Sequence, residues 1–212
     1  MRQRRRRSDG ERSRAAILEE ATRLATVEGI DGLSIGRLAA AVGMSKSGLF
    51  AHFGSKEELQ LDTVDAAIEL FDRLVLQPAA GASGGVDRLH RLVAGYLHYL
   101  EVDTFPGGCF FASVLAETDM QPGPVRDRLV AFLADWLGRL EATIRDAQAD
   151  GVLDVGEDPA QLTFEIEAAL FLANAQHVVA RTTEPIDRAR AAIDRRLVAA
   201  GDIRTSRGEE AG

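Results

Sequence analysis

One cysteine, Cys109, stands in 212 residues, too few for an internal disulfide or a multi-thiolate metal site. It lies between Gly108 and Phe110, with no cationic neighbour in sequence to lower its pKa. It therefore reads as a buried structural thiol rather than a redox sensor, and a reducing, cytosolic setting is expected. Histidine is scarce, with His52, His90, His98 and His177 the only four. None stands in His-Glu-x-x-His or follows a glutamate at Glu-x-x-His spacing, so no helical metal site is expected. The glycines at 81–85 follow no strand and make no phosphate-cradling loop. Long apolar runs are missing too. Residues 166–180 are interrupted by Glu167, Asn174, Gln176 and His177 and fall short of the roughly 20 residues of a membrane span. The arginine-rich start leads into Ser8-Asp9-Gly10-Glu11, where a signal peptide would turn apolar. These absences argue against a membrane partner, a metal, a cofactor and a catalytic constellation.

What is present is globular in balance, 46% hydrophobic and 27% charged, which rules out wholesale disorder. The net charge of −8 hides a division. Residues 1–60 hold 11 basic and 8 acidic side chains, and residues 61–212 hold 14 and 25. Both lysines, Lys46 and Lys56, lie in the first part. Opposite-signed parts read as two modules, the basic one suited to a polyanion.

Helical periodicity dominates, with no convincing strand alternation. The expected fold is all-α, with about nine helices. The first, from about Ser13 to Glu28, carries Ile17, Leu18, Ala21, Leu24 and Ala25 on one face and stops at Gly29. Ser34 starts a second with Ile35, Leu38, Ala39 and Val42 at helical spacing. Ser45 caps a short third, running to about Phe53. Ser55-Lys56-Glu57-Glu58 forms a capping box for a fourth, carried on to Pro78. Five more follow to about Gly201. The expected organisation is a basic flexible arm at 1–12, a basic helical domain at 13–60, a larger acidic helical domain at 61–204, and a polar tail at 205–212.

Residues 34–53 carry the most information. Two short helices joined through Gly43, the second opened by a small polar cap, are what a helix-turn-helix requires. Leu49 and Phe53 face inward. Ser45, Lys46, Ser47, Gly48, Phe50 and His52 are left outward, where hydroxyls and a lysine can bond phosphates or base edges. Ser34 and Arg37 on the preceding helix, and Lys56 beside a helix amino terminus that favours phosphate, complete the candidate contacts. The arginine arm can add phosphate or minor-groove contacts. A plain helical hairpin with a glycine turn shows the same periodicity.

The block Val42-Gly43-Met44-Ser45-Lys46-Ser47-Gly48-Leu49-Phe50-Ala51-His52-Phe53-Gly54-Ser55-Lys56-Glu57-Glu58-Leu59 resembles the DNA-binding domain of TetR-family transcriptional regulators, and the likeness extends over about residues 13–60. Phe50 departs from it. The family most often has tyrosine there, so a hydroxyl that commonly bonds a phosphate is lost. The resemblance implies a homodimer joined by the last two large helices, about residues 158–200. It also implies a double-stranded operator, an inverted repeat, from which a small molecule bound in the C-terminal domain releases the repressor. Residues 107–127 resemble the C-terminal domains of one subgroup of that family, without identifying an inducer.

The C-terminal part is rich in large apolar groups with a few polar ones, the usual make-up of a small-molecule site. Candidate pocket residues are Tyr96, Tyr99, Phe110, Phe111, Phe132, Trp136, Phe171, Asn174 and His177. Each is equally intelligible as helical core, and the same domain can serve only to dimerise or to bind a protein. The ninth helix carries an apolar stripe of Ile186, Ala189, Ile193 and Leu197 among arginines, read as a dimer-facing surface with the arginines paired at its rim.

Overall fold

The computed structural model describes residues 2–102, 105–118 and 122–201. The expected polar tail lies outside them. Helices α1 (Arg2–Glu28), α2 (Ile35–Ala41), α3 (Lys46–Phe50), α4 (Lys56–Phe71), α5 (Gly85–Glu101), α6 (Phe110–Thr118), α7 (Pro124–Ala149), α8 (Pro159–Ala180) and α9 (Glu184–Ala199) make up the described chain. The all-α expectation holds in type and order. Among the described residues no helix is long and apolar enough to cross a membrane.

Two compact units emerge. The first comprises Met1–Leu70 and Phe105–Ala131, the second Phe71–Thr104 and Phe132–Gly212. The first unit runs past residue 60 and is discontinuous in sequence. Its core gathers Ile17, Ala21 and Ala25 of α1, Ile30 and Leu33 of the following turn, Leu38, Leu49 and Phe53, and Leu59 and Val64 of α4. Each is nearly withdrawn from water, which is the main source of stability here. Arg14 pairs with Asp62 and lies over the Phe53 ring, 5.3 Å from its centroid.

Helix α1 begins at Arg2, where the sequence reading placed an arm. Arginine and glutamine are good helix formers, and no proline intervenes to stop the helix. At the far end of α4, the helix expected to run on to Pro78 gives way to a wide π turn at Asp72–Leu76 and a 3₁₀ turn at Gln77–Ala79. Such turns interrupt regular α-helical hydrogen bonding.

In the second unit, α5 packs on that wide turn and on α8 and α9. Asp87 in its first turn accepts from the Ser83 N–H at 2.8 Å and from Arg91 at 3.2 Å, which holds its carboxyl down to about 2. Asp158 caps α8 by accepting from the Ala160 N–H at 2.9 Å. Ile186, Ala189, Ile193 and Leu197 are all buried within the chain, because α9 turns its stripe onto α8 and α5. The reading of that stripe as a dimer surface is corrected accordingly. Its arginines are also engaged internally: Arg190 with Glu101 at 2.9 Å, and Arg196 with Glu157 at 2.5 Å and with Glu165.

Candidate nucleic-acid interface

The α2–α3 segment takes helix-turn-helix form. Gly43 closes α2 at φ +67°, a left-handed conformation that glycine adopts without a Cβ clash. The Met44 N–H then returns to the Ala39 carbonyl at 2.8 Å. The Ser45 hydroxyl accepts from the Gly48 N–H at 3.1 Å, capping α3. Leu38, Ala39 and Leu49 fill the angle between the two helices. That packing leaves Ser45, Lys46, Ser47 and Phe50 exposed, with Gly48 and His52 half-buried.

Four of the candidate contacts meet around one open depression of about 530 Å³. Ser34, Lys46, Phe50 and Lys56 line it together with Asp31 and Gly36. The Lys46 side chain lies across Gly36, where a Cβ would come within 2.9 Å of its Cε. Ser34 occupies the N-cap position of α2, yet its hydroxyl makes no capping bond, so it remains available to a ligand. Lys56 donates to the Asp31 carbonyl at 2.6 Å, which anchors its ammonium on the rim. Phe50 is 48% exposed and offers an apolar edge only. Arg37 stands apart from this group and pairs with Glu28 at 2.5 Å. A concave surface with two ammonium groups, the Ser34 hydroxyl and the amino end of α2 is chemically suited to phosphate oxygens.

Two residues that sequence reasoning passed over hold this surface in place. Glu117 of α6 accepts from the Ile30 N–H at 2.9 Å and the Asp31 N–H at 3.3 Å. Gln60 of α4 donates to the Ile30 carbonyl at 2.9 Å and to the Asp31 carboxylate at 3.0 Å. The turn leading into α2 is thus clamped from both sides. Gly29 makes room for the carboxylate: it sits at φ +77°, and a Cβ there would overlap Glu117. Thr26 adds a second tie, accepting from the Gly107 N–H at 3.2 Å. Nothing local in sequence signals a partnership across more than eighty residues.

The candidate pocket residues divide between the units. Phe110 and Phe111 pack with each other in the first unit, ring centroids 5.3 Å apart. Tyr96, Tyr99, Phe132 and Trp136 gather in the second, edge-on around Phe71 at 5.2 to 6.0 Å. Phe171 is not among them, being 51% exposed on α8. Asn174 is buried. His177 closes the end of α8, where its Nδ1 donates to the Thr182 carbonyl at 2.7 Å. Phe71 and Glu167 belong to the cluster but were not singled out from sequence. Trp136 Nε1 donates to Glu167 Oε2 at 2.9 Å, and burial pushes that carboxyl above its ordinary range. The signal for Glu167 was present as a carboxylate inside the apolar stretch of α8.

Comparisons with known proteins bear on both units. A family model described as bacterial regulatory proteins, tetR family, matches residues 17–62. A second, described as Tetracyclin repressor-like, C-terminal domain, matches residues 85–193, just over half of the chain. A solved TetR transcriptional regulator from Chloroflexus aurantiacus J-10-FL is similar at 26% identity and a TM-score of 0.80, over 88% of this chain and 94% of that one. A TetR-family regulator from Cytophaga hutchinsonii is similar at 18% identity and 0.77, over 92% and 98%. AibR, solved with isovaleryl coenzyme A and operator DNA, is similar at 22% identity and 0.68, over 89% and 98%. No curated protein matches the chain in sequence.

Proposed function

Because the chain belongs to the TetR family of transcriptional regulators, which bind DNA and catalyse no reaction, we propose that it is a homodimeric repressor, released from an inverted-repeat operator by a small, largely apolar molecule. The grouping of Ser34, Lys46, Phe50 and Lys56 around one depression beside α3 carries the reading. Ser45, Ser47, Gly48 and His52 on α3, with Arg37 on α2, extend the contact surface, α3 entering the major groove and the depression meeting the phosphates. Cytoplasmic localisation, on the nucleoid, follows from that partner.

Dimerisation is supported by α8. Phe164, Phe171, Leu172 and Val179 are 68%, 51%, 56% and 84% exposed and recur along one side of the helix. An apolar face of that extent is the usual mark of an interface, and two copies would place their α3 helices for successive major grooves. The aromatic cluster of the second unit supports a ligand site, and AibR, with isovaleryl coenzyme A and operator DNA bound, supplies a precedent for a small molecule and an operator on one such fold. Release requires the ligand to favour a dimer whose α3 helices no longer match groove spacing.

Selection of bound sequences from a random DNA pool, followed by a footprint and stoichiometry on the winner, tests the reading. An inverted repeat of about one to two helical turns occupied by dimers is expected. Failure to enrich any sequence at low salt, with and without added metabolite extract, would overturn it. Release of the selected operator by a fraction of that extract tests the effector separately.

A further inference from the structure

The second unit holds a carboxylate without a countercharge. Glu167 is half-buried on α8 and accepts from the indole of Trp136 at 2.9 Å, and no cation among the described residues is paired with it. One helical turn earlier on the same helix, the Thr163 hydroxyl is buried, 5% exposed, and has no hydrogen-bond partner. Residues four apart share a helix face, so two polar groups with unused accepting capacity lie on one face of α8. Beside Glu167, Trp136 stacks with Tyr96, ring centroids 6.1 Å apart at 20°, and meets Phe71 edge-on. Each unsatisfied buried polar group is costly, and an uncompensated carboxylate more so. Native interiors hold few of either without a functional reason.

Resting on the effector reading above, we infer that Glu167, Thr163 and Trp136 form the recognition end of the effector site, and that the effector is an organic ammonium ion with an aromatic or comparably apolar body. Its N–H groups donate to the second Glu167 oxygen and to the Thr163 hydroxyl, while Trp136 keeps the first oxygen oriented. The positive charge lies against the ring faces of Trp136 and Tyr96, which attract cations. A carboxylate ligand would be repelled by Glu167. A neutral ligand would leave the charge uncompensated. The rings around Phe71 are in contact, so the ligand's body enters by displacing them, and occupancy is thereby coupled to the packing of the unit.

Trp136 is the chain's single tryptophan, so its fluorescence reports on the site directly. Titrate the full-length protein, free and on its selected operator, with benzylammonium, benzyl alcohol and benzoate, three probes sharing a ring and differing in head group. The expected result is a Trp136 fluorescence change with benzylammonium at least tenfold tighter than with either of the others. Glu167→Gln, which keeps an acceptor for Trp136, should remove that preference. Thr163→Val should weaken the ammonium a few-fold and leave the alcohol unaffected. Equal or tighter binding of the alcohol or benzoate overturns the inference, as does an ammonium preference that survives Glu167→Gln, or no response to any probe. If the operator is nevertheless released by a neutral or anionic fraction of metabolite extract, the effector reading stands and only the ammonium class falls. If no fraction releases it, the effector reading itself fails.

Discussion

At the scale of single residues, the described side chains of the interface have separable tasks. Lys46 faces solvent across Gly36, and Lys56 is tethered to the Asp31 carbonyl. Lys46→Ala is expected to weaken operator binding by about 1 to 2 kcal/mol, uniformly across sequences, and to lower the salt slope by about 1. An unchanged slope in a salt titration would remove it from the phosphate contacts. Glu117 lies outside the candidate contacts and holds the turn that leads into α2. Glu117→Ala leaves the N–H of the fully buried Ile30 without an acceptor, at a cost of about 1 to 3 kcal/mol, readable by denaturant unfolding. Glu167 predicts a pH dependence. Burial raises its carboxyl above the ordinary 4.5, opposed by the Trp136 hydrogen bond. The folded state then binds its proton more tightly than the unfolded state. The penalty is absent below the ordinary value and grows as pH rises through the folded one. Glu167→Gln should therefore raise the thermal midpoint at neutral pH and lose that advantage as pH falls towards 4.5. Melting curves at several pH values decide it.

At the scale of elements, the helices were legible because their apolar residues repeat at helical spacing and Ser45, Asp158 and the Ser55 box mark where they begin. The π turn after Phe71 was not legible, since Val75 continues the α4 stripe and nothing in the pattern announces an extra residue in the turn. The apolar stripe of α9 was visible, but periodicity reports that a face is buried and not against what. Its burial inside the chain shifts the proposed dimer contact to α8. Leu172→Glu, at a position 56% exposed in the single chain, should weaken the dimer by about 1.5 to 3 kcal/mol, seen as monomer in sedimentation at micromolar concentration. Ile193→Glu, buried at 2%, should instead lower the melting temperature of the chain itself. The amino-terminal part of α1 belongs to the same scale. Deleting residues 2–7 should reduce operator affinity and flatten its salt dependence, and an unaltered slope would leave those arginines without a part in binding.

At the scale of the whole molecule, the charge division seen in the sequence marks the DNA-binding function but not the unit that performs it. Residues 1–60 carry the net positive charge, whereas the compact unit also takes in Phe105–Ala131. Local patterning could find α1 to α4. It could not find the ties from Glu117 to Ile30, Gly107 to Thr26 and Arg128 to Asp65, because each joins residues far apart in the chain. A fragment ending near residue 62 should accordingly unfold at lower denaturant than the same residues in the full chain, measured by amide exchange at Ile30 and Asp31. That discontinuity bears on how such proteins diversify. Exchanging reading heads by recombination near residue 60 would transplant half of a structural unit. A recipient would accept the graft only where its own later segment offers a carboxylate to the Ile30 turn and a glycine against Thr26. The inheritance of operator choice is thereby tied to a stretch of chain outside the proposed operator contacts.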